Sequence, residues 1–308
     1  MAAGAAALTP ATEPAPDFVA LEATLEEKRL LVEEALRRLV APGEAPAVDR
    51  AIEDSLFAPA KRLRPILSLL VAEILHGDPG AVLPAACAVE MVHTASLILD
   101  DLPSMDDAKT RRGRPACHVR HGEATAILAA FALLSDAYEI LAGGWAGAPE
   151  AAARSAIAKD LARAVGRGGM IAGQAMDLAM TDRPIDFPTL EFIHSRKTGV
   201  LFMTAAAVGA AAARAGAWET QAVKAYAKNL GLAFQIVDDL IDVEGGVDVG
   251  KDLGQDAKKT TFVSFSGTEG ARQLARELVV VSQQALTGFG ARAAPLRDLA
   301  GYVVARRR

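Results

Sequence analysis

The sequence contains few aromatic residues and almost no cysteine. Aromatic residues make up 5% of the 308 residues, and the two cysteines, Cys87 and Cys117, form neither a CxxC motif nor a pairing pattern. A disulfide framework is therefore not expected. This cysteine usage is typical of a reducing compartment, and we expect a cytoplasmic protein in which both thiols are small core or boundary residues.

The sequence also has no long uncharged apolar run and no excess of basic residues, and we expect no signal peptide. The apolar stretch of residues 199–213 is shorter than the roughly 20 residues that span a membrane, so no membrane span is expected. A net charge of −5 gives no general electrostatic support for a nucleic-acid partner. Residues 1–16 lack the basic region of a signal peptide and are rich in alanine and proline, which predicts a disordered tail.

The chain is instead rich in apolar residues that favour helix. Hydrophobic residues make up 51% of it, with alanine prominent among them, and no linker rich in proline, glycine or serine divides it. We therefore predict one all-α domain over residues 17–308. Helical periodicity predicts helices at about residues 18–40, 46–57, 62–76, 81–101, 122–143, 149–164, 168–180, 188–214, 218–243 and 268–290.

The first chemically distinctive segment is LILDDLPSMDDAKTRRGRP, at residues 97–115. In an unbroken helix, Asp106 would lie about 240° around the axis from Asp100. Pro103 disfavours helix at the residue before it, so the chain can bend there and bring these two carboxylates together. Three arginines follow at once, at positions 111, 112 and 114.

A second acidic segment, FQIVDDLID, covers residues 234–242. Asp238 and Asp242 are four residues apart, so their carboxylates share one face of a helix. Asp239 is offset from Asp238 by about 100°. The glycine-rich segment that follows carries Lys251, Lys258 and Lys259.

The two acidic segments share one chemistry. Carboxylates at this density repel one another unless a cation neutralises them. Oxygen ligands without cysteine or histidine suit a hard ion, and Mg²⁺ commonly bridges a few carboxylates to substrate phosphates. A single Asp-Asp pair would most often be a solvated helix end, but both of these follow apolar helices and precede arginines or lysines suited to phosphate oxygens. They therefore indicate a metal-assisted site for a phosphorylated substrate.

The ordered set of motifs resembles the trans-prenyltransferases. Beside DDLPSMD and DDLID, the matching segments are AKRLRP (60–65), EMVHTASLILDD (90–101), GQAMDL (173–178) and RKTG (196–199). The resemblance extends from about residue 20 onwards, and residues 86–134 are most similar to bacterial geranylgeranyl diphosphate synthases of carotenoid pathways. It implies an all-α isoprenoid synthase bundle of about ten or more helices around a central cavity, commonly a homodimer.

The resemblance also implies a role for individual residues. Mg²⁺, or Mn²⁺ in its place, would be bound by Asp100, Asp106, Asp238 and Asp242. Catalysis would also involve Asp101, Asp239 and Lys197. The allylic diphosphate would be held by Arg111, Lys197, Thr198, Gln235, Lys251 and Lys259. Isopentenyl diphosphate would be held by Lys61, Arg64, His93 and Arg112. The enzyme would join the two substrates head to tail, with loss of a proton.

One departure from the family pattern lies just before Lys61. The family commonly has two glycines there, whereas this chain has Pro59 and Ala60. An alanine keeps its N–H but reaches a positive φ only at a cost, so the shape of this loop is left open. Taken alone, the basic residues from Lys61 to Arg64 would be interpreted as a solvated helix start.

Product length is expected to depend on Ala95, five residues before Asp100. By resemblance, this is the position at which farnesyl-forming bacterial relatives carry a bulky aromatic residue that closes the tunnel for the prenyl tail. Alanine leaves that volume open, which predicts the twenty-carbon product geranylgeranyl diphosphate. The alternative is a farnesyl or a longer-chain polyprenyl diphosphate synthase that uses the same site.

A different class is suggested by two Glu-x-x-His pairs, Glu90 with His93 and Glu191 with His194, which are the pattern of di-iron carboxylate bundles. That fold needs a further inward Glu from each of two other helices, and it leaves the aspartates and basic residues unexplained. A silent regulatory subunit would be expected to lack an aspartate motif. A terpene cyclase would be expected to lack the isopentenyl diphosphate pocket.

Overall fold

The computed structural model describes residues 18–244 and 260–306, and nearly all of them are helical. The first six helices are α1 (Val19–Leu39), α2 (Pro46–Leu56), α3 (Leu63–Ile74), α4 (Pro79–Asp100), α5 (Cys117–His121) and α6 (Glu123–Gly143). The next seven are α7 (Ala151–Val165), α8 (Met170–Ala179), α9 (Phe187–His194), α10 (Val200–Ala212), α11 (Ala217–Glu244), α12 (Phe262–Ala285) and α13 (Ala294–Ala305). The all-α prediction is confirmed. Residues 1–16, which were predicted to form a disordered tail, lie outside the described residues.

Helices α3 and α10 lie at the centre of the bundle. Helix α10 is apolar around its whole circumference, which is typical of a buried helix, and every residue of α3 from Leu63 to Ala72 is buried. Helix α10 packs against α3 and α11, while α4 packs against α3 and α6. Ser68 of α3 donates a hydrogen bond to the Ala205 carbonyl of α10 at 2.8 Å. This core fixes α4 and α11, the two helices that carry the acidic segments.

One short hairpin interrupts the helices of the described residues. Strand β1 (Thr110–Arg111) pairs with β2 (Arg114–Pro115) in antiparallel register. Arg112 and Gly113 form the turn, with φ values of 55° and 73°. A positive φ at both central residues is what a type I′ hairpin turn requires. The arginine-rich segment therefore folds back on itself directly after the first acidic motif.

The structure refines the helix prediction in two places. The helix expected at residues 188–214 is present over 187–212, and a π-helical turn, Ser195–Gly199, joins α9 to α10 within it. Near the C-terminus, the helix expected at 268–290 begins earlier, at Phe262, and it is bent at Gly267, where φ is 73°. A 3₁₀ segment, Thr287–Ala293, and the unpredicted helix α13 follow it.

Helices α4 and α6 are long and apolar enough to cross a membrane by length and composition alone. The apolar window of α4 is 72% buried inside the structure, as in a core helix, whereas that of α6 is 33% buried. The sequence estimate considered only the uncharged stretch 199–213 and overlooked both. The absence of a membrane span stays a prediction.

Candidate active site

The first acidic motif bends back on itself at the end of α4. The Asp106 amide donates to the Asp100 carbonyl at 2.9 Å, and the Asp107 amide donates to the Leu102 carbonyl at 3.0 Å. Asp107 has a φ of 48°, which completes the reversal of the chain. Asp100 and Asp106 are thereby brought together, as the bend at Pro103 predicted.

Lys197 lies among three carboxylates at this bend. Its Nζ is 3.0 Å from Asp177 Oδ2, 3.2 Å from Asp100 Oδ1 and 3.9 Å from Asp106 Oδ2. Burial alone would lower the pKa of Lys197, but the three aspartates outweigh it and the pKa is raised. Lys197 is therefore a fixed positive charge. Asp177, which lies in the segment GQAMDL, belongs to this cluster.

The π-helical turn carries Lys197 into the cluster, and α8 lies tightly against it. A Cβ added at Gly173 would stand 2.5 Å from the Lys197 amide nitrogen and 2.9 Å from Arg196 Cβ, so this contact requires glycine. The next residue, Gln174, donates its Nε2 to Asp100 Oδ1 at 2.5 Å. Its Oε1 is buried and has no hydrogen-bond partner among the described residues. Single-turn π segments occur frequently at functional sites.

The second acidic motif contacts the end of the chain. Arg306 Nη2 lies 2.7 Å from Asp238 Oδ1 and donates to the Phe234 carbonyl at 2.9 Å. The guanidinium also stacks on the Phe234 ring, with Cζ 3.8 Å from the ring centroid. Asp242 is half-buried one turn further along α11. Sequence reasoning missed Arg306, because a basic chain end carries no periodic signal and is usually solvated.

The second aspartate of each motif points into the protein. Asp101 is 2% exposed, and both of its oxygens accept hydrogen bonds from Arg111 Nε, at 3.0 and 3.1 Å. Asp239 is 3% exposed and accepts hydrogen bonds from Gln235 Nε2 and from the Phe262 amide, each at 3.0 Å. Asp101 thus holds the hairpin against α4, and Asp239 holds the start of α12 against α11.

Thr198 and Gln235, which are expected to bind the allylic substrate, connect the two acidic motifs through hydrogen bonds. Thr198 Oγ1 donates to Gln235 Oε1 at 3.0 Å, and Gln235 in turn donates to Asp239. The π-helical turn beside the first motif is therefore linked by hydrogen bonds to the second motif. Lys251 and Lys259, the other lysines expected here, lie outside the described residues.

A second basic cluster, which we call the cationic pocket, contains Arg64 and His93, and Arg112 is close enough to act on both. Arg64 Nη1 is 3.0 Å from His93 Nε2, and Arg64 Cζ lies 4.7 Å from the centre of the Phe202 ring. Burial lowers the pKa of His93 well below 6.5, and the nearby Arg64 and Arg112 lower it further. The imidazole is therefore neutral, and Nε2 accepts the hydrogen bond from Arg64.

The loop before this pocket takes a shape that the sequence left open. Lys61 is exposed at the start of α3, and Arg112 is half-buried in the hairpin turn. Arg62 has a positive φ of 51°, whereas Ala60 does not have a positive φ. The substitution of alanine for a family glycine at position 60 therefore causes no strain. Arg62 is also 2% exposed, so the interpretation of this segment as a solvated helix start was wrong for this residue.

Ala95 lies on α4 between the cationic pocket and Asp100. It is 5% exposed and belongs to the main hydrophobic core. Met91 and Val92, one turn before it, are 0% and 1% exposed. Position 95 is therefore buried beside larger side chains, and its role in product length stays a prediction.

The donor set around Lys197 suits a hard divalent cation. The three surrounding carboxylates and the buried Gln174 carbonyl supply only oxygen. In the described part of the chain, no three His, Cys, Asp or Glu side chains are arranged to ligate one ion by themselves. Mg²⁺ usually takes one or two carboxylates and completes its shell with water and substrate phosphates. The residues present fit an ion that binds together with a diphosphate.

The di-iron alternative fails on the contacts of its own residues. Glu90 accepts a hydrogen bond from the buried guanidinium of Arg62 at 2.9 Å, and His93 is bonded to Arg64. In the other pair, the ring of His194 packs against Phe262, with the centroids 4.9 Å apart. The two Glu-x-x-His pairs therefore belong to separate environments.

The sequence matches one protein family over most of its length. The polyprenyl synthetase family model matches residues 45–282. Geranylgeranyl pyrophosphate synthase 12, chloroplastic, from Arabidopsis thaliana is 41% identical over 282 residues, which cover 88% of this chain and 78% of that protein. The chloroplastic geranylgeranyl pyrophosphate synthase of Capsicum annuum is 39% identical over 285 residues, which cover 91% of this chain and 77% of that protein.

Solved structures give the same result. An FPP/GFPP synthase from Zymomonas mobilis superposes with a TM-score of 0.83 at 34% identity, covering 94% of this chain and 100% of that one. A geranyltransferase from Legionella pneumophila superposes with a TM-score of 0.82 at 30% identity, covering 92% of this chain and 97% of that one.

The expected cytoplasmic location is contradicted by these comparisons. Both curated relatives described above are named chloroplastic. Cysteine usage could not distinguish the two locations, because it reflects the redox state of a compartment and not its identity.

Proposed function

The chain belongs to the polyprenyl synthetase family, and we propose that it is a prenyltransferase that condenses isopentenyl diphosphate with allylic diphosphates to geranylgeranyl diphosphate. The observation that carries this proposal is the convergence of Asp100, Asp106 and Asp177 on Lys197, together with the cationic pocket of Arg64 and His93. The family match over residues 45–282 and the curated relatives named for this product support it.

The reaction would depend on Mg²⁺, or on Mn²⁺ in its place. The residues that would hold the ions are Asp100 and Asp106 in the first motif and Asp238 and Asp242 in the second. When bound, such ions neutralise the negative charge that develops on the departing diphosphate. The all-oxygen donor set and the family's general need for a metal support this assignment.

The allylic diphosphate would be held by Lys197, Thr198, Gln235 and Arg111. Lys197 is protonated at neutral pH because its pKa is raised, so it offers a full positive charge to the diphosphate oxygens. This charge favours breakage of the C–O bond, which leaves an allylic carbocation. Arg111 is oriented by its paired hydrogen bonds to Asp101.

Isopentenyl diphosphate would be held by Lys61, Arg64, Arg112 and His93, without a metal. Arg64 is oriented by His93 and by the face of the Phe202 ring, which leaves part of its guanidinium for phosphate oxygens. The double bond of this substrate would attack the carbocation, and a proton would then be lost. Separate cationic sites for the two diphosphates keep the two substrates in distinct orientations.

The homodimer expected for this family would form through α6. One face of α6 exposes large apolar side chains: Ile127 is 37% exposed, Leu128 56% and Phe131 65%. A contiguous exposed apolar surface of this kind commonly marks a protein interface. We infer that a second copy of the chain covers it. Phe131→Glu should yield a monomer by light scattering, whereas Phe265→Glu, at an exposed residue of α12, should leave a dimer.

Product analysis tests the proposed function. The purified chain would be incubated with labelled isopentenyl diphosphate, Mg²⁺ and each of three allylic primers, and the products would be separated by chromatography. The expected product has twenty carbons. The solved relative named as an FPP/GFPP synthase makes a different length the main alternative. A product of thirty carbons or more would overturn the length, and no condensation with any primer would overturn the function.

A further inference from the structure

A buried ion pair lies next to the cations that would hold isopentenyl diphosphate. Arg62 stands between Lys61 and Arg64 in the sequence, and its side chain is fully buried. Its Nη1 donates to Glu90 Oε1 at 2.9 Å, and Glu90 is itself 1% exposed. Neither residue has been given a role in the proposed reaction.

Two further contacts hold the same guanidinium. Arg62 Nη2 donates to the carbonyl of Leu56, at the end of α2, and Nε lies 3.7 Å from Glu33 Oε1 of α1. With Glu90 on α4, the contacts come from three different helices. The side chain of Arg62 therefore ties the start of α3 to α1, α2 and α4.

The backbone of Arg62 needs this support. It is the N-cap residue of α3, with φ 51° and ψ 32°, and no side chain caps the helix there. A non-glycine residue in the left-handed region is strained and persists only where its surroundings hold it. The turn at Arg62 lies between the exposed Lys61 and the buried Arg64. The side-chain contacts of Arg62 therefore fix the relative placement of these two cations.

Glu90 also supports the neighbouring charges. It precedes His93 by one helical turn on α4. Burial lowers the pKa of Arg64 to about 10, and Glu90 opposes this shift. Burial likewise lowers the pKa of Arg112, and again Glu90 opposes the shift. One buried carboxylate thus favours the charged forms of two arginines while it binds a third.

We propose that Arg62 and Glu90 are positioning residues for isopentenyl diphosphate: together they hold the left-handed turn that places Lys61 and Arg64 around its diphosphate. This inference rests on the proposed function. Both residues are buried and act by fixing the positions of Lys61 and Arg64, without touching the substrate.

The kinetic constants of the two substrates separate this role from a purely structural one. A pair that only stabilises the fold would lower the melting temperature and affect both substrates alike when it is broken. A positioning pair would raise KM for isopentenyl diphosphate and leave KM for the allylic diphosphate nearly unchanged, because Lys197 and its partners lie in a different cluster.

The test uses the full-length chain with three substitutions. Glu90→Gln keeps an acceptor oxygen for Arg62 but removes the charge. Arg62→Gly removes all three side-chain contacts, yet glycine adopts the left-handed φ without strain. Arg62→Lys keeps the charge but not the planar fork. Glu73→Gln is the control, because it breaks another ion pair between helices, the one between Lys28 and Glu73.

We expect Glu90→Gln and Arg62→Gly to raise KM for isopentenyl diphosphate about tenfold or more, with Arg62→Lys intermediate. KM for the allylic diphosphate should change less than about twofold in each, and Glu73→Gln should change neither. Equal changes for both substrates, or wild-type values in Arg62→Gly, would overturn the inference. If Glu90→Gln does not fold, Arg62→Lys and the dissociation constant of isopentenyl diphosphate from calorimetry decide the matter. A wild-type chain that does not condense the substrates refutes the proposed function instead.

Discussion

Arg306 Nη2 lies 2.7 Å from Asp238 Oδ1, so the last described residue of the chain is paired with the first aspartate of the second motif. The side chain of Arg306 is 5% exposed, whereas that of Asp238 is 29% exposed. A guanidinium therefore occupies one side of a carboxylate that is proposed to bind a metal. The equivalent place at the first motif is taken by the ammonium group of Lys197.

Replacing Arg306 should change metal binding at the second motif. In Arg306→Gln, Asp238 loses a competing cation, so we expect Mn²⁺ to bind about fivefold more tightly in the presence of inorganic pyrophosphate. The lost stacking on Phe234 should lower the melting temperature by a few degrees. Electron paramagnetic resonance measures the first effect. Arg276→Gln, which breaks an exposed pair with Glu269, is the control, and equal Mn²⁺ affinity in both variants would contradict the prediction.

Much of the fold could be predicted from the sequence, because long apolar helices with glycine and proline boundaries leave little choice of secondary structure. The convergence of Asp100 and Asp106 was also predictable from one proline. Contacts between residues far apart in the sequence could not be predicted in this way. Arg62 looked solvated because its partner, Glu90, is 28 residues away. The π-helical turn depends on the close approach of Gly173, which periodicity does not encode.

The paired aspartates should separate into two functional groups. Asp100→Asn and Asp238→Asn should lower kcat by about two to three orders of magnitude and cost less stability than Asp101→Asn, because both carboxylates are more exposed and face the proposed metal site. Asp101→Asn should instead lower the free energy of unfolding by about 3 kcal/mol, because it leaves Arg111 without its buried partner. Urea unfolding and kcat measured on the same preparations test this. Equal stability losses in all three variants would contradict the division.

The stability of the protein should depend on pH through His93. Above about pH 6.5, His93 is neutral in both the folded and the unfolded chain. Below it, the unfolded chain binds a proton that the folded chain does not, since the folded pKa is lowered. The free energy of unfolding therefore falls as the pH falls from about 6.5 towards the lowered folded pKa.

His93→Gln isolates this contribution, because the glutamine oxygen still accepts a hydrogen bond from Arg64 but does not titrate. Between about pH 7.5 and 5.5, the wild type should lose about 1 kcal/mol more stability than the variant. Urea unfolding at the two pH values measures the difference. The other histidines are the same in both proteins, so parallel losses would mean that His93 is not held neutral.

The close approach of α8 to the π-helical turn predicts a large effect of one methyl group. In Gly173→Ala, the new Cβ would stand 2.5 Å from the Lys197 amide nitrogen, so the turn must move. We expect a loss of about 1–3 kcal/mol in stability and a lower kcat, because Lys197 leaves its place among the carboxylates. Gly168→Ala is the matched control, since a Cβ there meets nothing within 4 Å. Equal kcat in the two variants would argue against the positioning of Lys197 by this turn.

Ala95 provides the test of product length. It lies five residues before Asp100 on α4 and is 5% exposed, with the larger Met91 and Val92 one turn beyond it. If the prenyl tail passes this position, a tyrosine ring should fill the volume that the last five-carbon unit needs. Ala95→Tyr should therefore shift the product from twenty to fifteen carbons, with condensation retained. Ala95→Ser, which keeps the side chain small, should still make the twenty-carbon product.

Because position 95 is buried, Ala95→Tyr should also lose about 1–3 kcal/mol of stability, so the melting temperature must be compared with the assay temperature. A folded Ala95→Tyr variant that still makes twenty carbons would mean that other residues set the depth of the tunnel.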